Sequence, residues 1–286
     1  MLLHRIDFIL LHSVTNARKI EQLKQKIETV ITSAQTWYKN NSMKNNIGKT
    51  EVIVFNTTQK QNCNIKIEVI DDGKPVTIES KNSIKILGVI LDSNLNWEKQ
   101  VNAVKKKAFN VTRNIHRINH LLPEKQRIKL YHAIISPQFS YADIIWGGCR
   151  KKETRRLQSV QNFAAKSITG HRKYDSATNS LKQLHFLNLE QRRKVHENVF
   201  THKALMQKSS ANINSQYMEY ISKANTRYAE QKKLRIPKHK TSKFQRSPLY
   251  RTITSWNTQP TFNFGNINQQ KTSLQKHLIS QNAATM

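Results

Sequence analysis

Hydrophobic residues recur at helical spacing in five stretches of the chain. The pattern is clearest in the second stretch, where apolar residues separated alternately by four and three positions define one face of a long helix. These residues are Trp97, Val101, Val104, Ala108, Val111, Ile115 and Ile118. From Ser209 onwards the periodicity fades and polar residues dominate. The five predicted helices cover residues 15–38, 97–118, 123–135, 152–168 and 188–208.

Short apolar or alternating runs in the first third of the chain predict strands. Residues 2–11, "KTEVIVF" (49–55) and "IKILGVILD" (84–92) each predict one strand. "IKIEVIDDGKPVTIES" carries two alternating runs on either side of Asp72-Gly73, a dipeptide that favours a tight hairpin turn. We expect the first helix to pack against the small sheet that these strands form.

Together these elements predict an α+β chain in three parts. Residues 1–92 are expected to form a small antiparallel sheet with one helix, and residues 93–208 a helical bundle. Residues 209–286 are expected to form a basic C-terminal segment that is partly disordered. Seven glycines and six prolines are few for a strand-rich architecture, which needs many turn residues.

The charge of the chain adds an expectation about partners. Lys and Arg number 48 against 18 Asp and Glu, which gives a formal net charge of +30 and a pI near 10.3. Such an excess opposes compaction unless a polyanion neutralises it. Nucleic acid is the expected polyanion and an acidic membrane surface is the second. A basic protein that is merely soluble is the remaining alternative.

The basic residues concentrate on helices whose opposite face is apolar. From Lys99 to Lys129 there are nine basic residues, and the only acidic ones nearby are Glu98 and Glu124. An ordinary solvated helix face would also contain Glu, so this composition favours phosphate binding. The residues expected to contact phosphates are Lys105, Lys106, Lys107, Arg113, Arg117, Arg155 and Arg156.

Sequence patterns for catalysis or metal binding are weak. Cys63 and Cys149 form no CxxC pair, so neither a zinc site nor a disulfide framework is indicated. "SYADIIWGGC" contains Tyr141-Ala142-Asp143, which has the form of a polymerase metal-binding tripeptide. Two-metal chemistry needs at least two carboxylates a few ångströms apart, and the six aspartates of the chain supply no clear pair.

The first residues, "MLLHRIDFILLHS", are apolar but contain Arg5 and Asp7, and no small-residue cleavage site follows them. We therefore expect no signal peptide. No apolar stretch is long enough to span a bilayer, so no membrane partner is expected. An intracellular location, in the nucleus or the cytoplasm, is consistent with these features.

Five segments of the chain match, in order, the segments of one known family. The segments are "LLHSVTNARKIEQLKQKIETVITSAQTWYKNNSMKNNIGKTEVIVF", "IKILGVILDSNLNWEKQVNAVKKKA", "LYHAIISPQFSYADIIWGGC", "LQSVQNFAAKSITG" and "LRIPKHKTSKFQRSPLYRTITSWNTQP". They resemble the reverse transcriptases of non-LTR retrotransposons, the jockey-like and other LINE-type elements. The first resembles the region after the catalytic acidic motif, the second the end of the palm and the start of the thumb. The others resemble the thumb and the segments that follow it.

The resemblance implies roles for a few positions. In the family a Tyr-x-Asp-Asp motif directly precedes the strand that "FILLHS" resembles; here Asp7 stands at the second Asp and Ile6 at the first, metal-binding one. Lys49 matches a lysine that the resemblance associates with nucleotide positioning or proton donation. Asp143 falls in the thumb motif, so we expect a structural role for it. The intact family enzyme uses Mg²⁺, but with Ile6 in place of a ligand we expect no metal and no cofactor in this chain.

The resemblance also implies that fingers and the first half of the palm would precede Met1 and are absent. We therefore expect a truncated reverse transcriptase that is inactive alone but binds RNA, DNA or an RNA–DNA hybrid without sequence preference. One alternative is part of an active RNA-directed DNA polymerase, whose N-terminal half is supplied by another chain or missing from the gene sequence. The other is a transposon remnant without function.

Overall fold

The structure is a computed structural model, and it describes residues 20–43, 46–55, 65–71, 73–172, 174–221, 233–258 and 266–284. The chain divides into two compact units, Met1–Leu95 and Asn96–Met286. The first unit contains a helix and two antiparallel hairpins, and the second is helical. The predicted α+β fold class, with small antiparallel sheets followed by helices, is confirmed.

Some positions singled out in the sequence lie outside the described residues. They include the strand predicted at residues 2–11, with Ile6 and Asp7, and also Cys63 and Asp72.

In the first unit, helix α1 (Ile20–Asn40) packs against a hairpin of strands β1 (Lys66–Asp71) and β2 (Lys74–Glu79). Alternation buries every second residue of β1, so that Ile67 and Val69 face the helix side while their neighbours are exposed. The hairpin predicted around Asp72-Gly73 is confirmed, and Gly73 has the positive φ of 79° that such a turn requires. The core also contains Ile47, Ile65 and Ile78.

The single strand predicted for "IKILGVILD" is wrong. It is a second hairpin, of strands β3 (Ser83–Ile86) and β4 (Val89–Asp92), which pair antiparallel. Leu87 and Gly88 form the turn with φ values of 46° and 86°, the positive values that a two-residue hairpin turn needs at both positions. Such a turn is usually recognised in a sequence by Asn-Gly or Asp-Gly. Here the first position is Leu87, so the sequence did not predict the turn.

The strand predicted for "KTEVIVF" is also largely wrong. Residues Ile47–Lys49 form one turn of 3-10 helix, and in the segment that follows only Val52 pairs, in an isolated parallel bridge with Ser80. Its half-buried side chains Val52 and Val54 nevertheless pack against the core of the first unit. The apolar run therefore indicates side chains that pack against the core, and not a regular strand.

In the second unit the helices predicted from apolar spacing are present. They are α2 (Glu98–Arg117), α3 (Glu124–Leu130), α6 (Lys151–Thr169) and α8 (Leu189–Leu205). The short helices α4 (Ser136–Ser140), α5 (Asp143–Trp146) and α7 (Ala177–Gln183), which were not predicted, lie between them. A π-helical turn, Tyr131–Ile135, joins α3 to α4. Pro137 has no backbone N–H to donate to the turn before it, which accounts for this widening.

In the middle of this unit Tyr131 and Gln161 form a buried polar contact. Tyr131 stacks on Phe186 with ring centroids 4.4 Å apart. Gln161, which is fully buried, donates from its amide nitrogen to the Tyr131 hydroxyl and to the carbonyl of Leu187, both at 2.9 Å. Burial raises the pKa of the Tyr131 phenol, so it stays neutral.

Beyond Ser209 the chain contains helices that the apolar periodicity did not predict. They are α9 (Ala211–Met218), α10 (Ser242–Gln245), α11 (Pro248–Asn257) and α12 (Ile267–Ala284). Ile253 and Trp256 of α11 are buried in one cluster with Ala204 of α8. Leu274 and Leu278 of α12 pack on Val195 at another part of α8. The described parts of this basic segment therefore share the core of the second unit.

Candidate nucleic-acid interface

Helices α2 and α6 lie side by side and run in the same direction. At their N-terminal ends Arg150 donates to the side-chain oxygen of Asn96 over 3.2 Å. At their C-terminal ends His116 Nδ1 and Ser167 Oγ are 2.8 Å apart. Small buried residues between the two helices, such as Ala108, allow close packing. The pair thus forms a continuous surface about 30 Å long, from 1.5 Å per residue over twenty residues.

Most of the cations predicted to contact phosphates lie on the exposed side of α2. Lys106, Lys107, Arg113 and Arg117 are all exposed, and none of them forms an ion pair with a residue that the structure describes. Within this part of the chain, their charges are therefore available to an external anion. The sequence from Lys106 to Arg117 contains no Asp or Glu.

Lys105 differs from the expectation that placed it on the outer face. It lies four residues after Val101 and three before Ala108, which are both fully buried, and its side chain is half-buried. A lysine at such a flank places its alkyl chain along apolar surface and its ammonium group at the edge. Lys105 is therefore a weaker candidate for a phosphate contact than Lys106.

The two arginines of α6 are also not equivalent. Arg155 is exposed, but Arg156 donates from Nη1 to Glu153 over 2.8 Å. The Glu153 side chain is only 6% exposed, so it depends on this arginine for its partner. Arg156 thus serves a structural ion pair, which the sequence pattern did not reveal because the burial of Glu153 depends on the tertiary fold.

Asp143 is a structural residue in this fold. It begins α5 with a buried side chain, and its carboxylate lies 2.6 Å from Nδ1 of His196 on α8. The described residues contain no group of three or more His, Cys, Asp or Glu side chains arranged to hold a metal ion. Asp7, at the position that the resemblance relates to Mg²⁺ binding, lies outside these residues. Lys49 is exposed at the end of the 3-10 turn of the first unit.

The residues Trp146, Gly147 and Gly148 meet the C-terminal segment. A side chain at Gly148 would overlap the carbonyl group of Arg246, so only glycine fits there. The guanidinium of Arg193 lies over the Trp146 ring, 5.6 Å from its centroid, and donates to the carbonyl of Gly147 at 3.3 Å. Two segments that are almost a hundred residues apart in the sequence are therefore packed together.

Aromatic rings lie at the exposed seam between α2 and α6, a feature that the sequence analysis missed. Phe109 of α2 and Phe163 of α6 have centroids 5.8 Å apart, and His116 lies 5.3 Å from the Phe163 ring. We call Phe109, His116 and Phe163 the seam rings. The available signal was the position of Phe109, three residues after Lys106 and four before Arg113.

Fold and surface together define an α+β protein whose helical unit carries exposed cations on a parallel helix pair. The chain is similar to a probable RNA-directed DNA polymerase from transposon X-element of Drosophila melanogaster, with 29% identity over 101 residues. The similarity covers 33% of this chain and 11% of that protein. It relates the chain to the reverse transcriptases of transposons, and at this level the predicted resemblance is confirmed.

No family model matches the chain, and no solved structure matches it. Among the helices that the structure describes, none combines the length and the apolar character needed to cross a bilayer.

Proposed function

We propose that this chain corresponds to the end of the palm, the thumb and the following segment of a non-LTR, jockey-like reverse transcriptase. Its retained activity is sequence-independent binding of nucleic acid through the exposed side of α2. The observation that carries this proposal is the set of four exposed cations Lys106, Lys107, Arg113 and Arg117, which have no ion-pair partner among the described residues.

The physical basis is electrostatic. Each cation that neutralises a phosphate releases condensed counterions, so the affinity falls steeply as the salt concentration rises. The helix presents these side chains to the sugar–phosphate backbone, whose charge is the same for every sequence, so binding should be independent of sequence. RNA, DNA and an RNA–DNA hybrid are therefore all expected partners.

We further propose that this chain does not catalyse DNA synthesis. Ile6 stands where the family has a metal-binding Asp, and loss of a metal ligand removes charge stabilisation worth several kcal/mol from phosphoryl transfer. A primer-extension assay with Mg²⁺ is expected to show no product. Extension by the purified chain would instead favour the alternative of an active polymerase.

The decisive experiment is a salt titration of binding to a labelled RNA–DNA hybrid. The test variant carries Lys106→Glu, Lys107→Glu and Arg113→Glu. The matched control carries Lys203→Glu, Lys271→Glu and Lys276→Glu, three exposed lysines on α8 and α12. Both variants change the net charge equally, so a difference between them reports position rather than total charge.

We expect the test variant to bind much more weakly and to show a shallower salt dependence. Each lost phosphate contact should reduce the slope of log affinity against log salt by about one, so three contacts should reduce it by about three. The control variant should retain most of the slope. Equal losses in both variants would contradict the proposed interface, and no binding by the wild-type chain would contradict the function.

A further inference from the structure

The strongest unexplained feature of the second unit is the group of seam rings. A single exposed Phe on a helix is common and by itself indicates no function. Here, however, Phe109 is 40% exposed, and its ring is tilted by 37° against that of Phe163, which is itself half-buried. The ring of His116 adjoins Phe163 at 57°. Three adjoining rings therefore lie at one place along the seam.

Contacts with α6 fix the orientation of two of the seam rings. His116 is tied through Nδ1 to the hydroxyl of Ser167, which is buried on α6. Phe163 is anchored on the same helix between the buried residues Val160 and Ala164. An aromatic surface that is fixed before a ligand arrives loses little conformational entropy on binding.

Cations lie on both sides of Phe109 within one helical turn. Lys106 precedes it by three residues and Arg113 follows it by four, which places them about 5 and 6 Å away along the helix axis. A polyanion that follows the exposed side of α2 would thus carry its phosphates to these two side chains. The part of the polyanion between these two phosphates would then meet the Phe109 ring.

We propose that the seam rings bind unpaired bases, so that the preferred ligand of this surface is single-stranded nucleic acid. The inference rests on the proposed function, because the same cations supply the phosphate contacts. In a duplex, both faces of each internal base pair are covered by its neighbours, so Phe109 has no base face to stack on. In a single strand an unstacked base presents a π-face, and every base has one, so stacking requires no particular sequence.

The test variant is Phe109→Ala, and its matched control is Phe244→Ala. Phe244, on α10, is of the same residue type and is 36% exposed. A third variant, Phe109→Trp, keeps an aromatic ring at the seam. Three labelled probes are compared by fluorescence anisotropy: a mixed-sequence RNA strand, an abasic strand of the same length, and a blunt-ended RNA–DNA hybrid. The abasic strand keeps the phosphates and lacks the bases.

We expect Phe109→Ala to weaken binding of the RNA strand about fivefold to a hundredfold, the range found when one stacking side chain is removed. Binding of the abasic strand and of the hybrid should not change. Phe109→Trp should bind the RNA strand like the wild-type chain, and so should Phe244→Ala. Circular dichroism of each variant checks that the helices remain folded.

Several outcomes would overturn the inference. One is wild-type affinity of Phe109→Ala for the RNA strand while the Lys106, Lys107 and Arg113 variant still loses hybrid binding; the proposed function would then stand without the stacking site. Another is an equal loss on all three probes, which would indicate damaged packing. A third is that Phe109→Ala converts a dimer to a monomer in sedimentation, which would assign the seam to a second copy of the chain. Absence of binding to every probe would remove both proposals together.

Discussion

Glu197 is a buried acidic residue that an arginine from another helix neutralises. Its side chain is 9% exposed in the middle of α8, and Arg251 of α11 donates to its Oε1 through Nε, at 3.0 Å, and through Nη2. Removing two charges from water costs several kcal/mol, which the attraction offsets only while both partners are present. The pair therefore makes α8 dependent on α11.

Arg251→Ala should lower the free energy of unfolding by about 3 kcal/mol or more, because it leaves Glu197 buried without its partner. The measurement is a urea titration followed by circular dichroism. Lys194→Ala is the control on the same helix, since its pair with Glu190 is exposed and 3.8 Å long, and it should cost less than about 1 kcal/mol. Similar losses of unfolding free energy for the two variants would contradict the larger contribution expected from the Arg251–Glu197 pair.

His202 gives the helical unit a dependence on pH. It is fully buried, with its ring 6.2 Å from that of Trp256, and burial, assisted by Lys208, lowers the pKa of its imidazole below the usual 6.5. The folded chain therefore keeps His202 neutral, while the unfolded chain takes up a proton as the pH falls through 6.5. Because the unfolded state binds more protons, the free energy of unfolding decreases below that pH.

We accordingly expect the urea midpoint to be lower at about pH 5.5 than at about pH 7.5. His202→Leu should flatten part of this dependence, since it removes the buried titrating group at similar volume. His120→Leu, at an exposed position, is the control and should leave the dependence unchanged. A wild-type slope in His202→Leu would assign the pH effect to other groups.

At the level of single residues, the sequence identified the cations but not their surroundings. Exposed Lys106, Lys107, Arg113 and Arg117 follow from helical periodicity alone. Arg156 does not, because its partner Glu153 is buried by contacts that only the tertiary fold creates. For the same reason the need for glycine at position 148 was not predictable, since it depends on a carbonyl group almost a hundred residues further along. Ile6, Asp7 and the family role of Lys49 remain predictions.

Among the elements, α8 has the best-defined beginning. Asn188 accepts a hydrogen bond from the backbone N–H of Gln191 at 2.8 Å, and the Gln191 side chain accepts one from the N–H of Asn188 at 3.1 Å. This reciprocal capping box satisfies two backbone donors that the first helical turn leaves without partners.

Asn188→Ala should lower the free energy of unfolding by about 1 kcal/mol, because it removes the cap. Urea titration measures the change. Asn102→Ala, at an exposed position inside α2, removes the same side chain without a capping bond and should be neutral or slightly stabilising. A neutral Asn188→Ala would show that the start of α8 is fixed by packing instead.

Whole elements were predictable where one pattern dominated. The apolar stripes of α2 and α6 and the alternation of β1 and β2 are long enough to define their type. Helix α11 was missed although Leu249, Ile253 and Trp256 are at helical spacing, because this run covers only ten residues. Helix α12 shows little amphipathic pattern and is stabilised by a few apolar contacts with α8. The β3–β4 turn was missed because its first residue is Leu87.

For the whole molecule the dominant quantity is the formal net charge of +30. Repulsion among like charges destabilises a compact state, and salt screens it. Raising NaCl from about 50 to about 500 mM should therefore raise the urea midpoint, although it weakens nucleic-acid binding. The variant with Lys203→Glu, Lys271→Glu and Lys276→Glu lowers the charge by six and should respond less to salt. An unchanged response would contradict self-repulsion as the cause.

The packing of α11 on α8 also has a consequence for synthesis on the ribosome. Chains emerge from the N-terminal side first, and domains tend to fold as they emerge. Glu197 is synthesised 54 residues before Arg251. Until α11 has been made, α8 therefore has a carboxylate without its arginine and an apolar side that is not covered. A premature stop codon shortly before Arg251 would thus release a protein whose central helix lacks its partner.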